Sequence, residues 1–531
     1  MDSHRIRNAL LTLALVCSLL GLSGCQPASE PRSAATDLPP EPTLTSLPTT
    51  ALEEPQELIV GLGRKMYYGP GRWYFLHGSL AVWEPLITLD NDMCAQGVLA
   101  TSWKANEDGT IWTFNLREGT RFHDGTPFNA DAVLLNIPHL QDEYDKNLTY
   151  LDAIEKVDDH TVQFKFTQST PNLHYLIANT SSAMLSPAVI GEDGRPTTAA
   201  GTGPLKFVDY IEDDAIILER NDDYWGEPAK VQRVIYKYIP DTNTRLSALQ
   251  TGEIDAIADV GCLQPEQASI IEQDSNLVLL QQGVATTHYL AFNGTKPPFD
   301  DVRLRQAISE VLDRDLLVET TLFGHANRGV SVITPHATQW VNTSIAPGHD
   351  IENAKALASS ALGDRRVGVR LVLNSAWLGR WPYANIAQIL QASAADLGID
   401  VSIDVLEKGA WNEVMRAGDY NITIHPFTLM SGDPHFFFSR WVTTDGDYNT
   451  GRNYGYSNER VDELVELAIV EMDEKQRKAY YDEAQAIVAE EVPLTPLFHE
   501  VTIYATRKNV RGLSLNVTFT PSLGKTYFVT E

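Results

Sequence analysis

Two stretches of the sequence begin like known chemical motifs, and neither completes its pattern. His499–Glu500 opens like the HExxH motif of zinc peptidases, but Ile503 stands where the second histidine is required. Gly524–Thr526 ends like a phosphate-binding loop, but Phe519 occupies the position of the glycine that starts such a loop. The chain also lacks the GxSxG pattern of serine hydrolases. We therefore expect neither an enzyme nor a nucleotide cofactor.

One acidic stretch resembles the start of a calcium loop. Asp445, Asp447 and Asn449 alternate as the first three oxygen ligands of such a loop would. Thr450 and Tyr456 then occupy the positions that need glycine and a bidentate glutamate. We therefore expect no resident metal ion and no other cofactor.

Strand and helix patterns alternate along the body of the chain. Val367–Leu373 and Val401–Val405 are apolar runs typical of strands, and an amphipathic helix is predicted between them from about Tyr383 to Leu397. Gly398 supplies the stop signal for that helix. A strand–helix–strand unit favours parallel pairing, so the sequence predicts an α/β fold.

A hairpin pattern lies earlier in the chain. Asp108–Gly109 is a turn signal, and the strand after it places alternate residues on one face. A second turn follows, and Asn129 is positioned to cap a helix that begins at residue 130. We expect the aromatic residues of this region to pack in a core: Trp112, Phe114, Phe122 and Phe128.

Length and charge limit the class of protein. At roughly 150 residues per domain, 531 residues suggest about three structural units. The formal net charge is −29, which would repel a phosphate backbone. We therefore expect no nucleic-acid partner.

The first 25 residues are typical of a bacterial lipoprotein signal. Arg5 and Arg7 precede an apolar run too short to span a membrane, and small residues then lead to Cys25. We expect cleavage after residue 24 and lipidation of Cys25, which would anchor the chain to a membrane. Residues 25–56 are rich in proline, serine and threonine, so we expect a disordered tether.

Two cysteines remain in the body, Cys94 and Cys262. Outside the cytoplasm such thiols can pair, so a disulfide between them is one hypothesis. Two separate buried thiols are the alternative.

Several ordered motifs resemble the family 5 extracellular solute-binding proteins, the peptide and nickel receptors of ABC importers. The longest runs from Leu99 to Val133 and includes the Trp112 strand. Shorter ones follow at residues 201–204, 221–226, 244–255 and 292–308. The resemblance implies a two-lobed α/β fold of the periplasmic-binding-protein type II, in which the lobes close around a ligand without changing it.

The resemblance also implies the domain boundaries. Lobe I would span residues 57–290, with an inserted subdomain at about 88–200. Lobe II would span 291–494, and 495–531 would return to lobe I. The chain would act as a monomer that delivers its solute to ABC permease subunits in the membrane.

Three segments are the predicted ligand-binding regions. A loop with two glycines and a proline carries Tyr67, Tyr68 and Trp73, which would be costly to expose without use. Arg380 and Trp381 precede a predicted helix, where peptide-binding relatives place an arginine that meets the ligand carboxylate. The third segment is residues 424–435, which line the cleft in relatives. Its predicted ligand-binding residues are Met430 and Asp433.

The third segment departs from the peptide-binding pattern. Peptide receptors often place an acidic residue just before the Asp-Pro pair, where this chain has Leu429, Met430 and Ser431. Asp433 could substitute for it, or could cap the following helix, and both alternatives stay open.

Oligopeptides or similar zwitterionic solutes are the first hypothesis for the ligand. A nickel or metal-chelate receptor is the second, although His425 and His435 do not form an obvious chelate and no later histidine matches the nickel branch. A cell-surface sensor or hydrolase that reuses the fold is the third.

Overall fold

The computed structural model describes residues 56–65, 81–136, 148, 150–178, 182–192 and 196–529. Its strands are β1 (Glu57–Leu62), β2 (Ile87–Leu89), β3 (Ala95–Gly97), β4 (Ala100–Ala105), β5 (Ile111–Leu116), β6 (Leu151–Asp158), β7 (Thr161–Phe166), β8 (Leu205–Ile211), β9 (Ala215–Arg220), β10 (Arg233–Tyr238), β11 (Ala256–Ile257), β12 (Leu277–Phe292), β13 (Ala326–Arg328), β14 (Val367–Asn374), β15 (Ile399–Leu406), β16 (Ile422–Thr428), β17 (Leu494–Arg507), β18 (Val510–Arg511) and β19 (Tyr527–Phe528).

The helices are α1 (130–136), α2 (Leu173–Leu176), α3 (Thr242–Thr251), α4 (Ala268–Gln273), α5 (Val302–Val311), α6 (Arg314–Thr321), α7 (Ile351–Leu362), α8 (Ser375–Leu378), α9 (Tyr383–Ala395), α10 (Lys408–Ala417), α11 (His435–Trp441), α12 (Asp447–Gly451), α13 (Glu459–Val470) and α14 (Glu474–Glu491). Short 3-10 turns lie at Pro187–Val189, Pro265–Gln267, Thr343–Ile345 and Leu523–Lys525. No helix in these described ranges has the length and apolar character needed to cross a membrane.

A large mixed sheet runs through the molecule in the order β15-β14-β16-β12-β17-β11-β1-β10-β9-β8, and β13 pairs with β17. The two long strands β12 and β17 join its two halves. Residues 277–283 pair with 501–507 in one half, and residues 287–291 pair with 494–499 in the other. The register shifts between Gly283 and Thr287 and again between His288 and Tyr289, so the ladder is irregular where the halves meet.

The predicted strand–helix–strand unit is confirmed. β14 and β15 pair in parallel, with Val367 opposite Ile399, and α9 connects them. The backbone of Gly398 has φ +80°, a conformation that glycine adopts without steric cost, and it ends the turn after α9.

The predicted hairpin is also confirmed. β4 and β5 pair antiparallel within a four-stranded sheet of order β4-β5-β7-β6. All four aromatic residues expected in its core are buried: Trp112, Phe114, Phe122 and Phe128. Asn129 accepts a hydrogen bond from the backbone N–H of Ala132 at 3.2 Å, as a helix cap does.

Separate apolar cores lie on the two halves of the large sheet. One core packs β1 against β8, β9 and β10. A second packs β12, β14, β15 and β16 against helices α5, α6, α7 and α9. A third joins the opposite face of these strands to α11, α13, α14 and the four-stranded sheet.

Candidate functional site

Three parallel strands end at one edge of the large sheet. β14 pairs in parallel with both β15 and β16, so the segments that follow these strands start side by side. In open α/β sheets, ligands bind at the carboxyl ends of parallel strands. We call this edge the strand-end site and define it by Trp377, Arg380, Trp381, Trp411 and Met430.

Arg380 lies at this edge just after α8, which Asn374 caps by accepting a hydrogen bond from the N–H of Ala376 at 3.1 Å. The guanidinium carbon of Arg380 lies 4.5 Å from the centroid of the Trp381 ring. Its Nη2 donates to the carbonyl of Val260 at 3.3 Å, and its Nε has no hydrogen-bond partner among the described residues. In the described ranges no carboxylate forms an ion pair with Arg380. Its guanidinium therefore keeps donors for an anionic ligand.

The electrostatic setting of Arg380 is mixed. Burial, and after it the charge of Arg64, lower the pKa of Arg380 from its ordinary value. Asp259 and Glu500 act in the opposite direction, but Arg64 binds Asp259 through its Nε at 2.6 Å, and Glu500 accepts from Thr502 at 2.9 Å. The nearest carboxylates are therefore already engaged by other groups.

Trp381 forms a buried wall beside Arg380. Its ring stacks on Tyr383 with a centroid distance of 5.6 Å and meets the edge of His288 at 5.0 Å. His288 in turn shares a hydrogen bond of 2.7 Å with the Tyr383 hydroxyl. These contacts hold the Trp381 ring in place under the guanidinium.

The segment after β11 approaches this edge from the other half of the sheet. Gln264 donates from its side chain to the carbonyl of Gly379. Gly261 has φ +60°, and a Cβ placed on it would lie 3.0 Å from the Cβ of Arg380. A side chain at position 261 would thus be strained and would displace Arg380.

Met430 and Asp433 lie on the segment after β16, but in different surroundings. Met430 is half-buried. Asp433 is completely buried, forms an ion pair with Arg477, and accepts a hydrogen bond from the backbone N–H of His435 at 2.9 Å. Asp433 thus bonds to the first N–H of α11, although Pro434 is the N-cap residue of that helix, and its carboxylate is occupied by Arg477.

The disulfide hypothesis for Cys94 and Cys262 is wrong. Cys262 is a free, buried thiol whose sulfur accepts a hydrogen bond from the N–H of Gly63 at 3.3 Å, and burial raises the pKa of the thiol to about 11. Cys94 lies at the turn after β2, where its N–H donates to Asp90 at 2.9 Å. The two residues belong to different parts of the fold, because Cys262 packs in the core between α3 and α4.

Four predicted residues lie outside the described ranges: Cys25, Tyr67, Tyr68 and Trp73. They stay predictions.

Sequence reasoning missed the aromatic side chains that surround His425. The Trp377 and Trp441 rings lie 4.9 Å and 5.0 Å from the His425 ring, and the Trp411 ring lies 6.0 Å away. The His425 Nε2 accepts a hydrogen bond from Arg452 at 2.6 Å. The sequence could have indicated this aromatic cluster, because Trp377 and Trp411 each follow a predicted strand within a few residues.

The site does not contain a ready set of metal ligands. Within the described part of the chain, no three or more histidine, cysteine, aspartate or glutamate side chains converge as metal ligands would. The strand-end site is instead an aromatic surface with one arginine, Arg380. Such a surface suits an organic ligand that carries an anionic group.

Comparison with known proteins assigns the class. A two-halved α/β fold with a site at the strand ends is typical of binding proteins, and residues 95–449 match the model for the bacterial extracellular solute-binding proteins, family 5. The chain belongs to this family, as its sequence motifs predicted. It is therefore a solute-binding protein.

Individual relatives agree with this assignment. The chain is 30% identical over 436 residues to the probable D,D-dipeptide-binding periplasmic protein DdpA of Escherichia coli (strain K12), covering 79% of this chain and 82% of that protein. It is 28% identical over 456 residues to the di/tripeptide-binding protein 2 of Pseudomonas aeruginosa (strain UCBPP-PA14), covering 79% and 84%. The structure of NikA from Brucella suis in complex with Fe(III)-EDTA superimposes with a TM-score of 0.78 at 23% identity, covering 89% of this chain and all of that one. The predicted type II periplasmic-binding-protein fold is confirmed.

Proposed function

We propose that this protein captures peptides or similar zwitterionic small solutes at the strand-end site and delivers them unchanged to an ABC permease. The observation that carries the proposal is Arg380, a half-buried guanidinium without a carboxylate partner in the described ranges. A peptide carboxylate would complete it with two charge-assisted hydrogen bonds. The names of the two curated relatives, which are dipeptide and tripeptide binders, support the same ligand class.

Closure of the two lobes would provide the signal for delivery. A ligand that contacts both lobes binds the closed form more tightly than the open form, so it shifts the population toward closure. We place the hinge in β12 and β17, where the register shifts between Gly283 and Thr287. For the lobes we propose the boundaries that the family resemblance implies: 57–290 with an inserted subdomain at about 88–200, 291–494 and 495–531.

Calorimetric titration with di- to pentapeptides tests the ligand class. The Arg380→Ala variant should bind free-acid peptides more weakly by about 1.5–3 kcal/mol, the usual range for hydrogen bonds to charged groups. The same peptides with an amidated C-terminus should bind wild type and variant equally. Arg416→Ala is the matched control, because Arg416 is exposed on α10 and its side chain, among the described residues, bonds only to the carbonyl of Asn412 in the same helix. A wild type that binds no peptide in this series contradicts the proposal.

We further propose that the protein is a monomer held on the outer side of a membrane by lipid on Cys25. The small residues before Cys25 and the proline-rich tether after it support this anchor. Mass spectrometry of the mature N-terminus should find an acylated Cys25, and Cys25→Ser should leave the membrane fraction. Light scattering during gel filtration should give the mass of one chain.

A further inference from the structure

Two arginines stack on the same tyrosine close to the strand-end site, and they differ in their partners. Arg440 lies 4.5 Å from the Tyr448 ring centroid and forms an ion pair with Asp447 at 2.8 Å. Arg452 lies 3.9 Å from the same centroid. Its guanidinium donates a hydrogen bond to His425 at 2.6 Å and also interacts with the Tyr454 side chain, and no described carboxylate pairs with it. The charge of Arg440 is therefore balanced, whereas that of Arg452 is not.

The surroundings of Arg452 supply further hydrogen-bond donors. Trp411 and Trp441 are 2% and 0% exposed, and their rings lie 5.7 Å and 5.9 Å from the Arg452 guanidinium carbon. The indole N–H of each has no hydrogen-bond partner in the part of the chain that the structure describes. An indole N–H can only donate, and a guanidinium has no acceptor. The cluster is thus rich in donors, and a carboxylate is the group that accepts without donating.

Trp377 connects this cluster to the strand-end site. Its half-buried ring lies 5.2 Å from Trp411 and 4.9 Å from His425, and it stands three residues before Arg380. Trp411 itself lies in the first turn of α10, directly after the parallel strand β15. A ligand held by Arg380 would therefore extend along Trp377 toward Arg452.

We propose that Arg452, with the indole N–H groups of Trp411 and Trp441, is a second anion subsite that selects ligands with an additional carboxylate. The ligand class is a peptide with an acidic side chain, or a similar dicarboxylic zwitterion. This inference rests on the proposed function, in which Arg380 holds the terminal carboxylate. The net charge of the chain is −29, so its overall field repels a ligand with net negative charge, and Arg452 would offset that repulsion locally.

Matched peptide pairs test the subsite in the full chain purified in detergent. Ala-Glu-Ala and Ala-Gln-Ala differ in one charge and have nearly the same shape. Wild type should bind the glutamate peptide about tenfold or more tightly by calorimetry. Arg452→Met should remove this preference and leave the affinity for the glutamine peptide unchanged.

Arg440→Met is the control, because it removes the other guanidinium that stacks on Tyr448 but leaves Arg452 in place. It should keep the preference of the wild type. An equal affinity of the wild type for the two peptides overturns the subsite, and this measurement does not depend on whether the variant folds. An Arg452→Met protein that keeps the preference also overturns it. If the wild type binds neither these peptides nor others in the series, the proposed function fails, and the subsite fails with it.

Discussion

Arg477 and Arg380 lie in two regions of the same half of the molecule, and they differ in what balances their charge. The side chains of Arg477 and Asp433 are 3% and 0% exposed, and the two form a buried ion pair. The Arg477 Nε also donates to the carbonyl of Ala468 at 3.0 Å. Arg380 stacks on Trp381 and reaches only a backbone carbonyl among the described residues. One region is complete without a ligand, and the other keeps unused donors.

The backbone beside Asp433 is closely packed. Beside Asp433, a Cβ on Gly432 would lie 2.5 Å from the carbonyl oxygen of Met93 and 2.6 Å from the Tyr175 ring. Tyr175 in turn accepts a hydrogen bond from Gln339 at 2.5 Å. This region therefore brings the turn between β2 and β3, and helix α2, into close contact with the segment after β16. A buried charge with an oppositely charged partner stabilises the fold, whereas a buried charge without one is available to bind a ligand.

Removing Arg477 should have the largest effect. Arg477→Met leaves the Asp433 carboxylate buried without its cationic partner, so we expect a loss of about 3–5 kcal/mol in the free energy of unfolding. Urea denaturation followed by circular dichroism measures it. Arg380→Met is the comparison, and its unfolding free energy should change by less than about 1 kcal/mol. Equal losses in the two variants would erase the distinction between the regions.

Filling the space at Gly432 should have the next largest effect. The methyl group of Gly432→Ala meets backbone and ring atoms that cannot move freely, so we expect a loss of about 1–3 kcal/mol. Gly409→Ala is the control, since no heavy atom lies within 4 Å of a Cβ there and alanine favours helix α10 by about 0.5–1 kcal/mol. The two thermal midpoints should therefore shift in opposite directions.

Acid should lower the stability of the folded protein through the buried side chain of His499. Burial, and after it His288 and His336, lower the pKa of His499 to about 3, and its two ring nitrogens already bond to Thr287 and Val330. Its contribution to stability is full above about pH 6.5, the unfolded value, and is lost as the pH falls toward 3. We expect a loss of up to about 1.4 kcal/mol per pH unit in that window. Urea titrations at pH 7, 6 and 5 should give a smaller slope for His499→Gln, and identical slopes would contradict the assignment.

The free thiol should give the smallest effect. Because Cys262 is buried and burial raises its pKa to about 11, iodoacetamide at pH 8 should leave it unmodified in the native protein and alkylate it in urea. Peptide mapping by mass spectrometry identifies the modified residue. Alkylation of Cys262 in the native state would contradict its burial, because it would show that the reagent reaches the thiol without unfolding.

Local pattern was enough to predict individual elements of the fold. The alternation at Trp112 and Phe114 predicted the β5 strand, and the apolar runs around Gly398 predicted the unit of β14, α9 and β15. These predictions succeeded because burial on one face of a strand or helix imposes its period directly on the sequence. The sequence pointed to Arg380 and Trp381 of the candidate site but not to Trp377 or Trp411, nor to Arg452 of the proposed subsite, and the ligand contacts of all five stay predictions.

Contacts between distant residues account for the errors. The sequence left two roles open for Asp433. Its ion-pair partner, Arg477, lies 44 positions later, and no local pattern indicates that the two side chains meet. A disulfide between Cys94 and Cys262 was one hypothesis, because the number of cysteines does not show how far apart they lie in the fold. Each outcome depended on which segments the folded chain brings together.

Residue order alone determined the family, the α/β class, the position of the hairpin core and the absence of a complete catalytic motif, because each of these is written in short segments with a fixed spacing. Tertiary structure decided which charges are paired. Only folding sets Asp433 against Arg477 and leaves Arg380 and Arg452 without a carboxylate in the described ranges. Charges interact through space, so their partners are chosen by the packing of strands and helices rather than by neighbours in the chain.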